Sequence, residues 1–185
     1  MFHQRFTWLI ILFMAGTPSL VAAQQPTYVT DDAAFGAVVQ IKRILTAPEM
    51  EMLPVEIFSA AGKQEIGIDP VDVTSLTLMV EASNGPPDVG VVVRFEKPIA
   101  LKDLKTARMQ LEEGELNGRL YLRSTRPPAP GLYMPDEKTL LVGSDEMIGK
   151  MLVQGRREAL GPLAKKLTVD GGNPDFIAAA VLEPV

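Results

Sequence analysis

Arg119, Tyr121 and Arg123 stand at alternate positions of one short run, RLYLRS, and an extended backbone would put all three side chains on one face. Two guanidinium forks beside an aromatic ring could bind an anion or a glycan, by bidentate hydrogen bonds and ring stacking. Arg126 follows just beyond, and Arg108 lies on the flank facing this run across Asn117-Gly118. The competing reading is a solvent face on which these arginines balance nearby glutamates.

Carboxylates are the other chemistry-bearing group. Asp31 with Asp32, Asp69 with Asp72, and Glu112 and Glu113 with Glu115 form three acidic clusters. Paired carboxylates can act as acid and base in glycoside hydrolysis, or bind calcium through oxygen. None of the three has a calcium-loop spacing, and each has a structural explanation: a polar lead-in, a helix start and the surroundings of a candidate bulge. The nine methionines read in the same way, since Met50, Met147 and Met151 fall on apolar helix stripes and Met1 and Met14 lie in an N-terminal apolar segment. No catalytic residue, metal ligand or cofactor is expected.

Composition excludes more than it suggests. The chain has no cysteine and one histidine, His3, so a Ser-His-Asp triad, a Cys-His pair, an HExxH zinc site and a disulfide framework are all ruled out downstream of residue 3. No Ser-Lys spacing replaces them. With 18 Lys plus Arg against 23 Asp plus Glu, the net charge of -5 speaks against a nucleic-acid partner, whose phosphates need cationic side chains.

The N-terminus explains the lone histidine. Arg5 precedes an apolar run from Phe6 to Ala15, and Val21-Ala22-Ala23 supplies small residues for cleavage, so residues 1–23 read as a signal peptide with a mature start at Gln24. The run falls short of the roughly 20 residues of a spanning helix, and Gly16, Thr17 and Pro18 interrupt it. The expected product is secreted or periplasmic, without a membrane span after cleavage. Removing Arg5 makes it one unit more acidic, and its length suits one domain.

The elements that must position these residues centre on two period-two runs. Leu76, Leu78, Val80 and Ala82 share one face of the first, and Val89, Val91, Val93 and Phe95 one face of the second. With SNGPPD between them they predict an antiparallel hairpin whose apolar face is buried, leaving Thr77, Glu81 and Arg94 on the solvent side. A first strand is expected at Phe35–Ile41. Residues 46–62 follow with Met50, Leu53, Pro54, Ile57, Phe58 and Ala61 on one helical stripe, interrupted near Leu53 by Pro54. Asp69 caps a single turn begun by Pro70, and Leu101 and Leu104 fit a short helix. Asn117-Gly118 and Pro135–Lys138 mark two further hairpins, with Gly114 a candidate bulge. Ser144 caps a helix that buries Met147, Ile148, Met151 and Leu152, pairs Glu146 with Lys150 and ends at Gly155, and Gly161-Pro162 starts another through Leu167.

Three stretches, DDAAFGAVVQIKRILTAPEMEMLP, GIDPVDV and YMPDEKTLLVGS with the helix through Met151, resemble exported, uncharacterised proteins of planctomycete-type bacteria. That resemblance implies export and a duplicated α+β fold, and carries over no activity and no site residue. From the residues themselves we expect an α+β fold, a mainly antiparallel sheet of six or seven strands with helices 46–62 and 144–154 packed on its apolar face. A doubly wound α/β sheet is the runner-up. Residues 24–173 form one domain. Residues 174–185 form a terminal strand that aligns with the first strand at an offset of 141 residues, Phe176 over Phe35; it either opens a second copy of the fold or closes this sheet as a terminal element. The functional expectation is a non-catalytic domain with a binding or structural role in the envelope, with an unknown protein or glycan partner. The alternatives are a carboxylate-dependent glycan hydrolase, and an anion- or glycan-binding module built on Arg119, Tyr121 and Arg123.

Overall fold

The structure, a computed structural model, describes residues 27–181 apart from 53, 83–84, 107–109, 127–128 and 169–173. The expected signal peptide with its cleavage site, Leu53, Arg108, Asn173 and Leu182 therefore lie outside the described residues.

One sheet of eight strands organises the described residues: β1 (Ala33–Val39), β2 (Val73–Glu81), β3 (Asp88–Phe95), β4 (Leu111–Leu116), β5 (Arg119–Ser124), β6 (Gly131–Asp136), β7 (Thr139–Gly143) and β8 (Phe176–Ala180). Their spatial order is β4-β5-β6-β7-β3-β2-β1-β8, and every pairing is antiparallel. The α+β expectation holds and the doubly wound alternative, which needs parallel neighbours, does not. The three expected hairpins form. Asn117 and Gly118 both take positive φ, 54° and 75°, as a two-residue turn between strands of natural twist requires. Pairing of β4 with β5 runs unbroken from Leu111 opposite Ser124 to Leu116 opposite Arg119, so Gly114 is no bulge. Its place in mid-strand needs no extra residue, because the hairpin turn alone sets the register.

Four α-helices accompany the sheet among the described residues: α1 (Ile41–Leu45), α2 (Val55–Glu65), α3 (Asp145–Gln154) and α4 (Pro162–Leu167). Ser144 caps α3 by accepting from Met147 N, and Gly155 closes it, as its sequence requires. Met147, Ile148, Met151 and Leu152 point into the sheet, where they join Val38, Met79, Val92, Leu141 and Tyr133. Close approach is made possible by Gly90 and Gly143, since a Cβ on either would stand 3.0 Å from the Met147 side chain. α4 lies across β1 and β8, its Leu163 and Leu167 set over Gly36.

This arrangement overturns the expected sidedness. The covered face of the central hairpin is the one bearing Ser75, Thr77, Met79 and Glu81, all buried, and not the Leu76, Leu78, Val80 face, which is half-buried. Arg94 also belongs to the covered layer, donating to the hydroxyls of Thr139 (3.0 Å) and Thr27 (2.9 Å) with its guanidinium 5.4 Å from the Tyr28 ring. The opposite face holds a second core around Phe95, Leu101, Leu122, Leu132, Met134 and Leu140. A register shift between Val73 and Ser75 delivers Val73 to that core. Phe35, Leu76, Leu78, Val80, Val89 and Val91 belong to neither core.

The 46–62 segment is interrupted at Pro54 as expected, but its end and its burial are corrected. Its Pro48 starts a separate 3-10 turn, α2 begins only after Pro54, and it runs past Gly62 to Glu65. Pro54 lacks the N–H that a continuous ladder would use. α2 packs beside the turn Pro70–Asp72 rather than on the sheet, so Ile57 and Phe58, expected inside, are 64% and 47% exposed.

Candidate functional site

Arg119, Tyr121 and Arg123 share one strand, β5, but the structure gives each a different setting. Tyr121 is buried, its ring 6.4 Å from that of Tyr133 and tilted by 58° to it. Its hydroxyl donates to Asp145, and Arg123 Nε donates to the other oxygen of the same carboxylate at 2.8 Å. Burial, and then the bond to Asp145, hold the Tyr121 hydroxyl well above the ordinary tyrosine range. Arg119 lies at the far end of β5, beside a shallow hollow lined by Pro98, Leu101, Met134 and Asp136. Ring stacking on a ligand would therefore need Tyr121 to leave its core, and Asp145 already holds one fork.

A cleft of about 880 Å³ opens at the end of the sheet where the β2–β3 hairpin meets the start of α3. It gathers four carboxylates, Glu81, Asp88, Asp145 and Glu146, with Arg123 and Lys150. Their partners decide what they can do. Glu81, 4% exposed, accepts from Thr30 Oγ1 at 2.6 Å on one oxygen and from Lys150 Nζ at 2.7 Å on the other. Asp88 accepts from Val89 N and from Ser144 Oγ, which ties the hairpin to the helix cap. Asp145 is held as described, and Glu146 pairs with Lys150 at 3.2 Å as the sequence spacing implied. These bonds, to Glu81 first and Glu146 second, raise Lys150 above its usual range. Three of the four carboxylates thus have both oxygens engaged by the protein itself, whereas an acid–base pair needs a carboxyl able to exchange a proton with substrate.

The acidic clusters singled out in the sequence stay apart. Asp31 pairs with Arg157. Asp69 caps the Pro70–Asp72 turn by accepting from Val71 N at 3.1 Å, and Asp72 accepts from Lys97. Glu112, Glu113 and Glu115 are exposed on β4. Among the described residues no group of three or more acidic or imidazole side chains could hold a metal ion, and no helix is long and apolar enough to cross a membrane.

The most distinctive surface is apolar. Phe35 on β1, Val89 on β3 and Phe176 on β8 are 40%, 41% and 58% exposed on one face of the sheet, with half-buried Leu78, Val80 and Val91 between them. Sequence reasoning found this row of residues and assigned it to the core. The available signal was compositional: α3 and α4 bring long side chains, and only the glycine-bearing face of the sheet could admit them. No family model matches the chain, and neither the curated proteins nor the solved structures contain a significant relative.

Proposed function

We propose that the chain is an exported, non-catalytic domain that binds a protein partner in the cell envelope through the open apolar face of its sheet. The observation that carries this reading is the exposure of Phe35, Val89 and Phe176 together, on a face where a monomeric protein would place polar residues. The engaged carboxylates of the cleft and the buried Tyr121 favour it over a glycan hydrolase or an Arg119–Arg123 ligand site. A photo-crosslinking side chain at position 89 in the full chain tests it, with position 153 as the control, because Val153 is 56% exposed on α3, remote from that face. A defined envelope protein crosslinked from position 89 and not from 153 is the expected result. The same products from both positions, or none from 89, would end the reading.

A further inference from the structure

β8 pairs with β1 in a register that has its own symmetry. Phe35 stands opposite Ala180, Ala37 opposite Ala178, and Val39 opposite Phe176. When Phe176 is set over Phe35, the alignment with every inward position apolar, Ala178 falls on Ala37 and Ala180 on Val39. Position 35 then meets the equivalent of 39, position 37 meets its own equivalent, and position 39 meets the equivalent of 35. This is the pattern of a strand paired with a copy of itself about a two-fold axis through Ala37 and Ala178. The ends of the ladder obey the same operation. Gln40 N donates to Asp175 O at 2.8 Å, and Val181 N donates to Ala34 O at 2.8 Å. Asp175 is the equivalent of Ala34 and Val181 of Gln40, so the two hydrogen bonds are one bond and its symmetry mate. Face parity agrees as well: Phe35 and Phe176 emerge on the open face, while Gly36 and Ile177 lie on the side covered by α4.

In an antiparallel ladder, residues alternate between bonding one neighbour and bonding the other. Since Asp175 and Val181 bond β1, Phe176, Ala178 and Ala180 turn their peptide groups to the outer edge, where no strand pairs with β8 among the described residues. Their equivalents Phe35, Ala37 and Val39 stand opposite Val80, Leu78 and Leu76 of β2. β8 carries no charge or proline within its span, the devices that ordinarily keep an edge unpaired; the one charge reaching its outward peptide groups comes from α4, where Lys166 Nζ donates to Ala180 O at 3.1 Å, a contact that an incoming strand would displace.

We propose that β8 is the first strand of a second copy of this fold, and that its outer edge receives that copy's β2 strand, with Phe176, Ala178 and Ala180 opposite the counterparts of Val80, Leu78 and Leu76. The inference deepens the binding reading above by naming the occupant of the edge that borders the open face. The second copy lacks a first strand of its own, because β8 supplies it; the sheet then continues across the β1–β8 axis, and the edge disappears.

The test uses the full chain and a synthetic peptide of residues 73–95, the central hairpin. Peptide binding should slow amide hydrogen exchange at Phe176, Ala178 and Ala180 at least tenfold, leaving Ile177 and Ala179 unchanged. Ala178→Pro removes one outward N–H and no bond to β1, so it should weaken peptide binding at least tenfold; unaltered protection of β1 would show that the fold is intact. A peptide carrying Leu78→Pro should lose binding in parallel. The proposal fails if the three amides are not slowed, if protection appears elsewhere on the sheet, or if they are protected without peptide as the protein self-associates through β8. Crosslinking from position 89 is read separately, so an edge that rejects the hairpin and an apolar face without a partner are distinguishable failures.

Discussion

The two faces of β2 carry opposite chemistry and have exchanged the fates their chemistry suggests. Ser75, Thr77, Met79 and Glu81 are buried, Met79 among the side chains of α3 and α4 and Glu81 against Lys150 of α3, while Leu76, Leu78 and Val80 stay half-exposed. Helices cover the polar face because they carry the apolar material with them: Met147, Ile148, Met151, Leu163 and Leu167 fill the layer, and Gly36, Gly90 and Gly143 make room for it. The polar groups left inside are satisfied, and among the described residues no buried side-chain nitrogen or oxygen lacks a partner. Burial of a sheet face is decided by what packs on it, and its own hydropathy is only half of that contact.

The sharpest way to break the comparison is to truncate one residue on each side. Met151→Ala removes a fully buried side chain and is expected to cost about 2–5 kcal/mol of unfolding free energy in urea. Val89→Ala on the open face is expected to stay within about 0.5 kcal/mol of the parent. Equal losses would mean that the apolar face is covered in the isolated protein and the contrast is void. The next effect in size concerns the polar groups of the covered face. Glu81→Ala leaves the buried Thr30 hydroxyl without its acceptor, at about 1–3 kcal/mol, while Lys150 can turn to water because it is partly exposed. Thr30→Val combined with Glu81→Ala should cost less than the two single changes added together. Additive losses would show that the pair does not act as a unit.

Much of the fold was legible because its signals are local. Asn117-Gly118, Ser144 and Asp69-Pro70 each specify a turn or a cap within four residues, and the structure has all three. α1 was missed: five residues, Ile41–Leu45, hold too little periodicity to separate a helical turn from the end of a strand. Sidedness was missed for a different reason. The stripe of α2 and the apolar run of β2 are real patterns, yet the partners expected for them lie elsewhere, and no spacing within a segment records where a distant helix will settle. In the cleft, Glu81 and Lys150 are 69 residues apart and Asp88 and Ser144 56, so their pairing follows from the strand order β7-β3-β2 and was beyond any motif.

The smallest expected effect lies at the turn that feeds β2 and tests whether local signals carry local energies. Asp69 accepts from Val71 N, Ser59 Oγ donates to it at 2.8 Å, and Lys63 pairs with it at 2.6 Å, so α2 is tied to the Pro70–Asp72 turn by this one carboxylate. The Lys63 bond, opposed by some burial and aided by Ser59 and Val71, holds its carboxyl below the usual carboxylate range. A depressed folded value means that the unfolded chain takes up this proton first as pH falls. The contribution of Asp69 is therefore complete above the ordinary carboxylate range, declines as pH drops into that range, and is lost once the folded carboxyl is itself protonated. Asp69→Ala should lower stability by about 1 kcal/mol at neutral pH, in keeping with the loss of a capping carboxylate. The difference from the parent should shrink as pH falls through and below the ordinary carboxylate range, a window set by the downward shift. Hydrogen exchange should place the loss in α2 and the Pro70–Asp72 turn and leave β3 and β7 unchanged. A difference that stays constant with pH, or protection lost throughout the sheet, would show that Asp69 acts through the backbone of β2 and not through its charge.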